Sequence, residues 1–84
     1  MSQTAVRTNT VHIFVETEAH KPPVKLEFET NETTGRQIKE RAGVPLENDL
    51  ARRHGQTLEL ITNDEPVVLK NGEHFVSLPP GTVS

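Results

Sequence analysis

The chain has no cysteine, tryptophan or tyrosine, one methionine and three phenylalanines in 84 residues. Without cysteine there is no disulfide framework, no thiol nucleophile and no cysteine-based zinc or iron–sulfur site. Long apolar runs are missing too. Hydrophobic residues make up 32% of the sequence and the mean hydropathy is −0.55, so no window approaches the ~20 apolar residues of a membrane span. Positive charge is not in excess. Nine Lys and Arg against twelve Asp and Glu give a net charge of −3 and a pI near 5.7, which argues against a nucleic-acid footprint. Met1 to Thr10 holds one arginine and no apolar stretch, so no secretory signal is expected. These absences point to a cytoplasmic protein of one small domain.

A domain of this size buries only ~60–65% of the surface its unfolded chain exposes. Almost every strong hydrophobe is then committed to one core, leaving little material for a deep catalytic pocket of ~300–1,000 Å³. Composition therefore favours a binding or carrier module over an enzyme.

What is present reads as short strands around one helix. Residues 1–9 are polar and aperiodic, a flexible tail. From Thr10 to Thr17, Val11, Ile13 and Val15 alternate with His12, Phe14 and Glu16, the period of a half-buried strand that leaves Phe14 on the solvent side. Lys21-Pro22-Pro23 cannot continue a ladder and marks a hairpin loop. Val24, Leu26 and Phe28 then alternate with Lys25, Glu27 and Glu29. Thr34-Gly35-Arg36-Gln37 fits a capping box, Ile38 and Ala42 share one helix face, and Gly43 with Pro45 ends the helix. Arg36, Lys39, Glu40 and Arg41 are expected to face water. Leu50 to Arg53 predicts a short strand, His54-Gly55-Gln56 a turn, and Leu58, Leu60 and Ile61 a further strand. Val67 to Leu69 and Phe75 to Leu78 flank Asn71-Gly72, a strong hairpin signal. The order predicts an α+β, two-layer fold, a mixed four- to five-stranded sheet curled around one helix as in a β-grasp, over residues 10–79.

The chemistry-bearing residues are sparse. His12, His20, His54 and His74 lack the spacing of a metal site, so no metal or other cofactor is expected. Asp64-Glu65 reads as a solvated loop. Ser77 and Ser84 have no histidine–carboxylate partners in sequence that would mark a nucleophile. Arg52-Arg53-His54 is a small basic spot that suits either a solvated strand end or a partner contact. Lys21, Lys25, Lys39 and Lys70 are the side-chain amines.

Several segments resemble the ubiquitin family. Ile13 to Thr17, IFVET, differs by one residue from the IFVKT of ubiquitin's first strand, and Val24 to Glu29, VKLEFE, is similar to TITLEVE of the second. Ala42-Gly43-Val44-Pro45 resembles the EGIP that ends the helix, His54 to Glu59 resembles GKQLE with one residue inserted, and His74-Phe75-Val76 resembles HLV of the last strand. The likeness covers about His12 to Gly81. It is nearer still to the bacterial multiubiquitin-type domains, through Thr34-Gly35-Arg36-Gln37-Ile38, Ala42-Gly43-Val44-Pro45, Asp64-Glu65-Pro66-Val67 and Asn71-Gly72-Glu73.

The resemblance implies a protein modifier from a bacterial operon, often linked to antiphage defence. Its partners would be an activating enzyme, a conjugating enzyme, a processing peptidase (JAB-like or other) and target proteins, with no nucleic acid or membrane, and it would be monomeric outside those complexes. In that route a C-terminal carboxylate becomes an acyl-adenylate and the acyl group passes to enzyme nucleophiles. Gly81 is the sole glycine of the tail over residues 80–84, so cleavage between Gly81 and Thr82 is implied. Glycine suits this role because its missing Cβ lets the tail thread a narrow channel. Two departures stand out: Pro80 precedes the glycine where ubiquitin has a second glycine, and the central isoleucine of ubiquitin's apolar patch falls on Ala51. Partner contacts are therefore expected around Phe14, Ala51, Arg52, Arg53 and Val76. A frayed, unprocessed end and a non-covalent β-grasp interaction module stay open. A sulfur carrier, which would end in two glycines, fits the tail less well.

Overall fold

The computed structural model describes residues 10–18 and 20–80. The N-terminal tail, Gly81 and Thr82 lie outside the described residues. The elements in chain order are β1 (Val11–Glu16), β2 (Val24–Phe28), β3 (Glu32–Thr34), α1 (Gly35–Ala42), β4 (Asp49–His54), β5 (Thr57–Ile61), β6 (Pro66–Val68) and β7 (Glu73–Leu78). Five strands form one mixed sheet in the order β2-β1-β7-β4-β5, and β3 pairs with β6 in a separate two-stranded sheet. Within the larger sheet β1 and β7 run parallel, and every other neighbouring pair is antiparallel. Among the described residues the fold is α+β, with a single short helix.

Alternation decides which face each strand residue occupies. On β1, Val11, Ile13 and Val15 are buried while His12, Phe14 and Glu16 are half-buried on the opposite face. Leu26, Phe28, Leu50, Ile61 and Phe75 complete the sheet's share of the core, and Ile38 closes it from the helix. The helix is eight residues, about 12 Å long at ~1.5 Å per residue, too short to persist without packing. Ile38, fully buried, is its main apolar anchor. Thr34 caps the start by accepting from the Gln37 amide at 3.3 Å. The reciprocal arm of the capping box is replaced: Thr33 donates its hydroxyl to Gln37 Oε1 at 2.6 Å. Gly43, at φ 79°, ends the helix in the left-handed region, and Val44 N–H bonds back to Lys39 O at 3.0 Å.

Three expectations are corrected. The strands flanking Asn71-Gly72 do not form a hairpin: β6 pairs with β3, a strand too short and polar to show in the sequence, while β7 pairs with β1 and β4. The turn instead carries the chain from the small sheet to the large one. It is clamped to β1 by His12 N–H donating to Asn71 Oδ1 at 2.9 Å and Gly72 N–H donating to His12 O at 2.8 Å. Second, Leu58 and Leu60 do not join Ile61 in the core. They project to the other face and remain 45% and 47% exposed. Third, Lys39 does not face water; only 4% of it is accessible.

Candidate functional site

Residues paired across neighbouring strands share a face. The register therefore places Glu16, Val76, Ala51 and Leu60 in one row on the sheet face away from the core, running from β1 across β7 and β4 to β5. A second row begins with Lys25, Phe14 and His74. Arg53 and Leu58 pair on the same face. Phe14 and His74 stack with ring centroids 5.1 Å apart, and the Arg53–Glu16 ion pair, 3.5 Å, reaches across β7. His12 and Glu27 approach to 3.5 Å at the other margin. Exposed pairs of this kind contribute ~0–1 kcal/mol, so they shape the face more than they stabilise it.

The five expected contact residues divide on this geometry. Phe14 and Arg53 stand on the open face. Ala51 is fully buried and Val76 is 8% exposed, so they form its floor and offer little side-chain surface. The apolar side chains that do reach solvent there are Leu58 and Leu60, whose signal was legible: period two sets both opposite Ile61. Arg52 belongs to the inner face. It donates from Nη2 to Val68 O at 2.9 Å, sits 3.6 Å from a Glu73 carboxylate oxygen and lies over the Phe75 ring at 5.5 Å. Burial and these three partners make Arg52 a brace between the two sheets.

The amines divide as well. Lys21, Lys25 and Lys70 are exposed. Lys39 Nζ donates to Leu46 O at 3.0 Å, to Asn63 Oδ1 at 2.7 Å and to Asn48 O. All three ammonium protons are thus taken by the loops before β4 and after β5. Burial lowers the Lys39 pKa below the ordinary lysine value, Asp49 opposes that shift and Arg36 adds to it. An amine so enclosed is a poor nucleophile toward any acyl donor.

At the C-terminal end of β7, Leu78 is half-buried and Pro79 and Pro80 are exposed, leading toward Gly81. Two clefts of about 600 and 730 Å³ lie at the turn between β2 and β3. Glu27, Glu29, Thr30, Glu32, Gln37 and Arg41 line the first, with Phe28 and Thr10, unlike the mostly apolar walls of small-molecule sites. Among the described residues no group of three or more His, Asp or Glu is placed to hold a metal ion, and no helix is long and apolar enough to cross a membrane. Searches against known protein families, curated proteins and solved structures return no match to this chain.

Proposed function

We propose that this chain is a ubiquitin-like β-grasp modifier, joined through a C-terminal Gly81 carboxylate to target proteins. The observation that carries the reading is topological. A parallel pair of first and last strands, flanked by antiparallel neighbours in the order β2-β1-β7-β4-β5, with one helix between β2 and β4, is the arrangement expected of that fold. The segments that resemble ubiquitin fall on corresponding elements: IFVET on β1, the AGVP stretch at the helix end and HFV on β7.

In this reading a peptidase cuts after Gly81 and exposes its carboxylate. An activating enzyme joins that carboxylate to the nucleotide of ATP, releasing pyrophosphate. An enzyme nucleophile then takes the acyl group and releases AMP, and a target amine or hydroxyl displaces it to form an isopeptide or ester bond. The chain contributes the acyl group and a recognition face, and its partners supply the catalysis. Phe14, Arg53, Leu58 and Leu60 are the side chains that partners would meet.

Co-expression with activating and conjugating enzymes and a peptidase of the ubiquitin-like type tests this. Intact mass is expected to show loss of Thr82 to Ser84, with higher-mass adducts that vanish for Gly81→Glu. An uncut chain with no adducts in either form overturns the modifier reading. The exposed leucines on an otherwise buried-floor face favour the alternative in that case, a non-covalent interaction module.

A further inference from the structure

The two edges of the five-stranded sheet are treated differently. An edge strand presents unpaired N–H and C=O groups that accept another strand unless something blocks it. At β2, Pro22 and Pro23 precede the strand, and Arg41 reaches from the helix to donate to the Glu27 carbonyl while its guanidinium lies 4.6 Å over the Phe28 ring. At β5 none of these devices is present. The strand has no proline or lysine, and among the described residues β4 is its only hydrogen-bonded neighbour strand.

The side chains along β5 specify what would fit there. Leu58 and Leu60 project to the outer face, half exposed. On the inner face a groove of about 210 Å³ runs between β5 and β6, lined by Arg52, Glu59, Ile61, Glu65, Pro66, Val67 and Val68. Its charged lining is two carboxylates and one guanidinium. The guanidinium faces Glu73 at 3.6 Å, Glu59 Oε1 meets His54 Nε2 at 2.9 Å and Glu65 Oε1 accepts from the Thr62 amide at 3.1 Å, which leaves the second oxygen of each carboxylate to receive a basic side chain. Val68, 53% exposed, offers the aliphatic surface that the stem of a long basic side chain covers.

We propose that β5 is a strand-addition site for an extended segment of a partner protein that alternates apolar and basic residues. The apolar residues would continue the Leu58–Leu60 row, and the basic ones would enter the groove toward Glu59 and Glu65. A second copy of this chain fits less well. Antiparallel self-pairing centred on Glu59 matches Leu58 with Leu60 but opposes the two Glu59 carboxylates, and centring on Leu60 leaves Glu59 against Ile61. This site is independent of the chemistry at Gly81.

The test is an amide-resolved NMR titration of the full ¹⁵N-labelled chain with a capped heptapeptide alternating lysine and valine. The comparison peptide has the same composition with its three valines contiguous. The alternating peptide is expected to shift the Thr57–Ile61 amides and to bind at least about tenfold more tightly than the contiguous one. Glu59→Lys should weaken it about tenfold, and the double variant Leu58→Ser, Leu60→Ser should do the same with a dispersed spectrum retained. Equal binding of the two peptides, shifts centred on β2, or no shifts would overturn the proposal. So would concentration-dependent shifts of the Thr57–Ile61 amides in the free protein, which assign the edge to a second copy.

Discussion

Replacing Lys39 by methionine isolates what its ammonium does, because methionine keeps most of the length and removes the charge and all three donors. In the native protein those donors join α1 to Leu46 and Asn48 before β4 and to Asn63 after β5. Each acceptor left without a partner costs roughly 1–3 kcal/mol when water cannot reach it. The surrounding loops are part-exposed, so some rehydration occurs, and the desolvation cost of the ammonium disappears with it. The expected net loss is about 2–3 kcal/mol. A domain of this length has a total stability of roughly 4–12 kcal/mol. With a urea slope of ~1–2 kcal/mol/M, the midpoint should fall by about 1–3 M in circular-dichroism unfolding. Lys70→Met, on an exposed side chain, should stay within ~0.5 kcal/mol of the parent.

The pH dependence has a definite sign. Because the folded pKa of Lys39 lies below its unfolded value, the unfolded chain binds more protons in the interval between them. Lys39 therefore makes wild-type stability rise with pH through that interval, up to ~10.4. The methionine variant lacks this contribution, so the gap between the two proteins should widen over the same range. A variant as stable as the parent, or a gap that narrows, would refute the account. Lysine acylation followed by peptide mass analysis adds an independent reading: Lys21, Lys25 and Lys70 should react in the folded protein and Lys39 only on unfolding.

Gly35→Ala should destabilise by about 1–3 kcal/mol, seen as a lower Tm, because a Cβ there overlaps the Thr62 carbonyl oxygen and comes within 3.1 Å of Ile61 Cγ2. Asn71→Ala removes the acceptor for the His12 amide, and hydrogen exchange at His12 should accelerate, with about 1 kcal/mol lost overall. Thr34→Ala should cost about 1 kcal/mol in urea unfolding by removing the helix cap.

Local signals carried much of the fold. The alternation of Val11, Ile13 and Val15, the Thr34 cap and the Gly43 stop each depend on backbone geometry within a few residues, and each appears where the sequence puts it. The candidate face was legible only in part. Phe14 and Arg53 follow from alternation along their own strands. That Ala51 and Val76 are covered, and that Arg52 finds Val68 and Glu73 as its partners, depends on neighbours far along the chain.

Period, caps and turn residues act locally, so the order of residues is enough to specify a small cysteine-free chain of short amphipathic strands and one capped helix. Long-range strand pairing settles that Asn71-Gly72 bridges two sheets instead of closing a hairpin, because β6 pairs with β3 and β7 with β1. The same long-range packing encloses Lys39, because three acceptors from two distant loops converge on one ammonium, and such convergence leaves no trace in residue spacing.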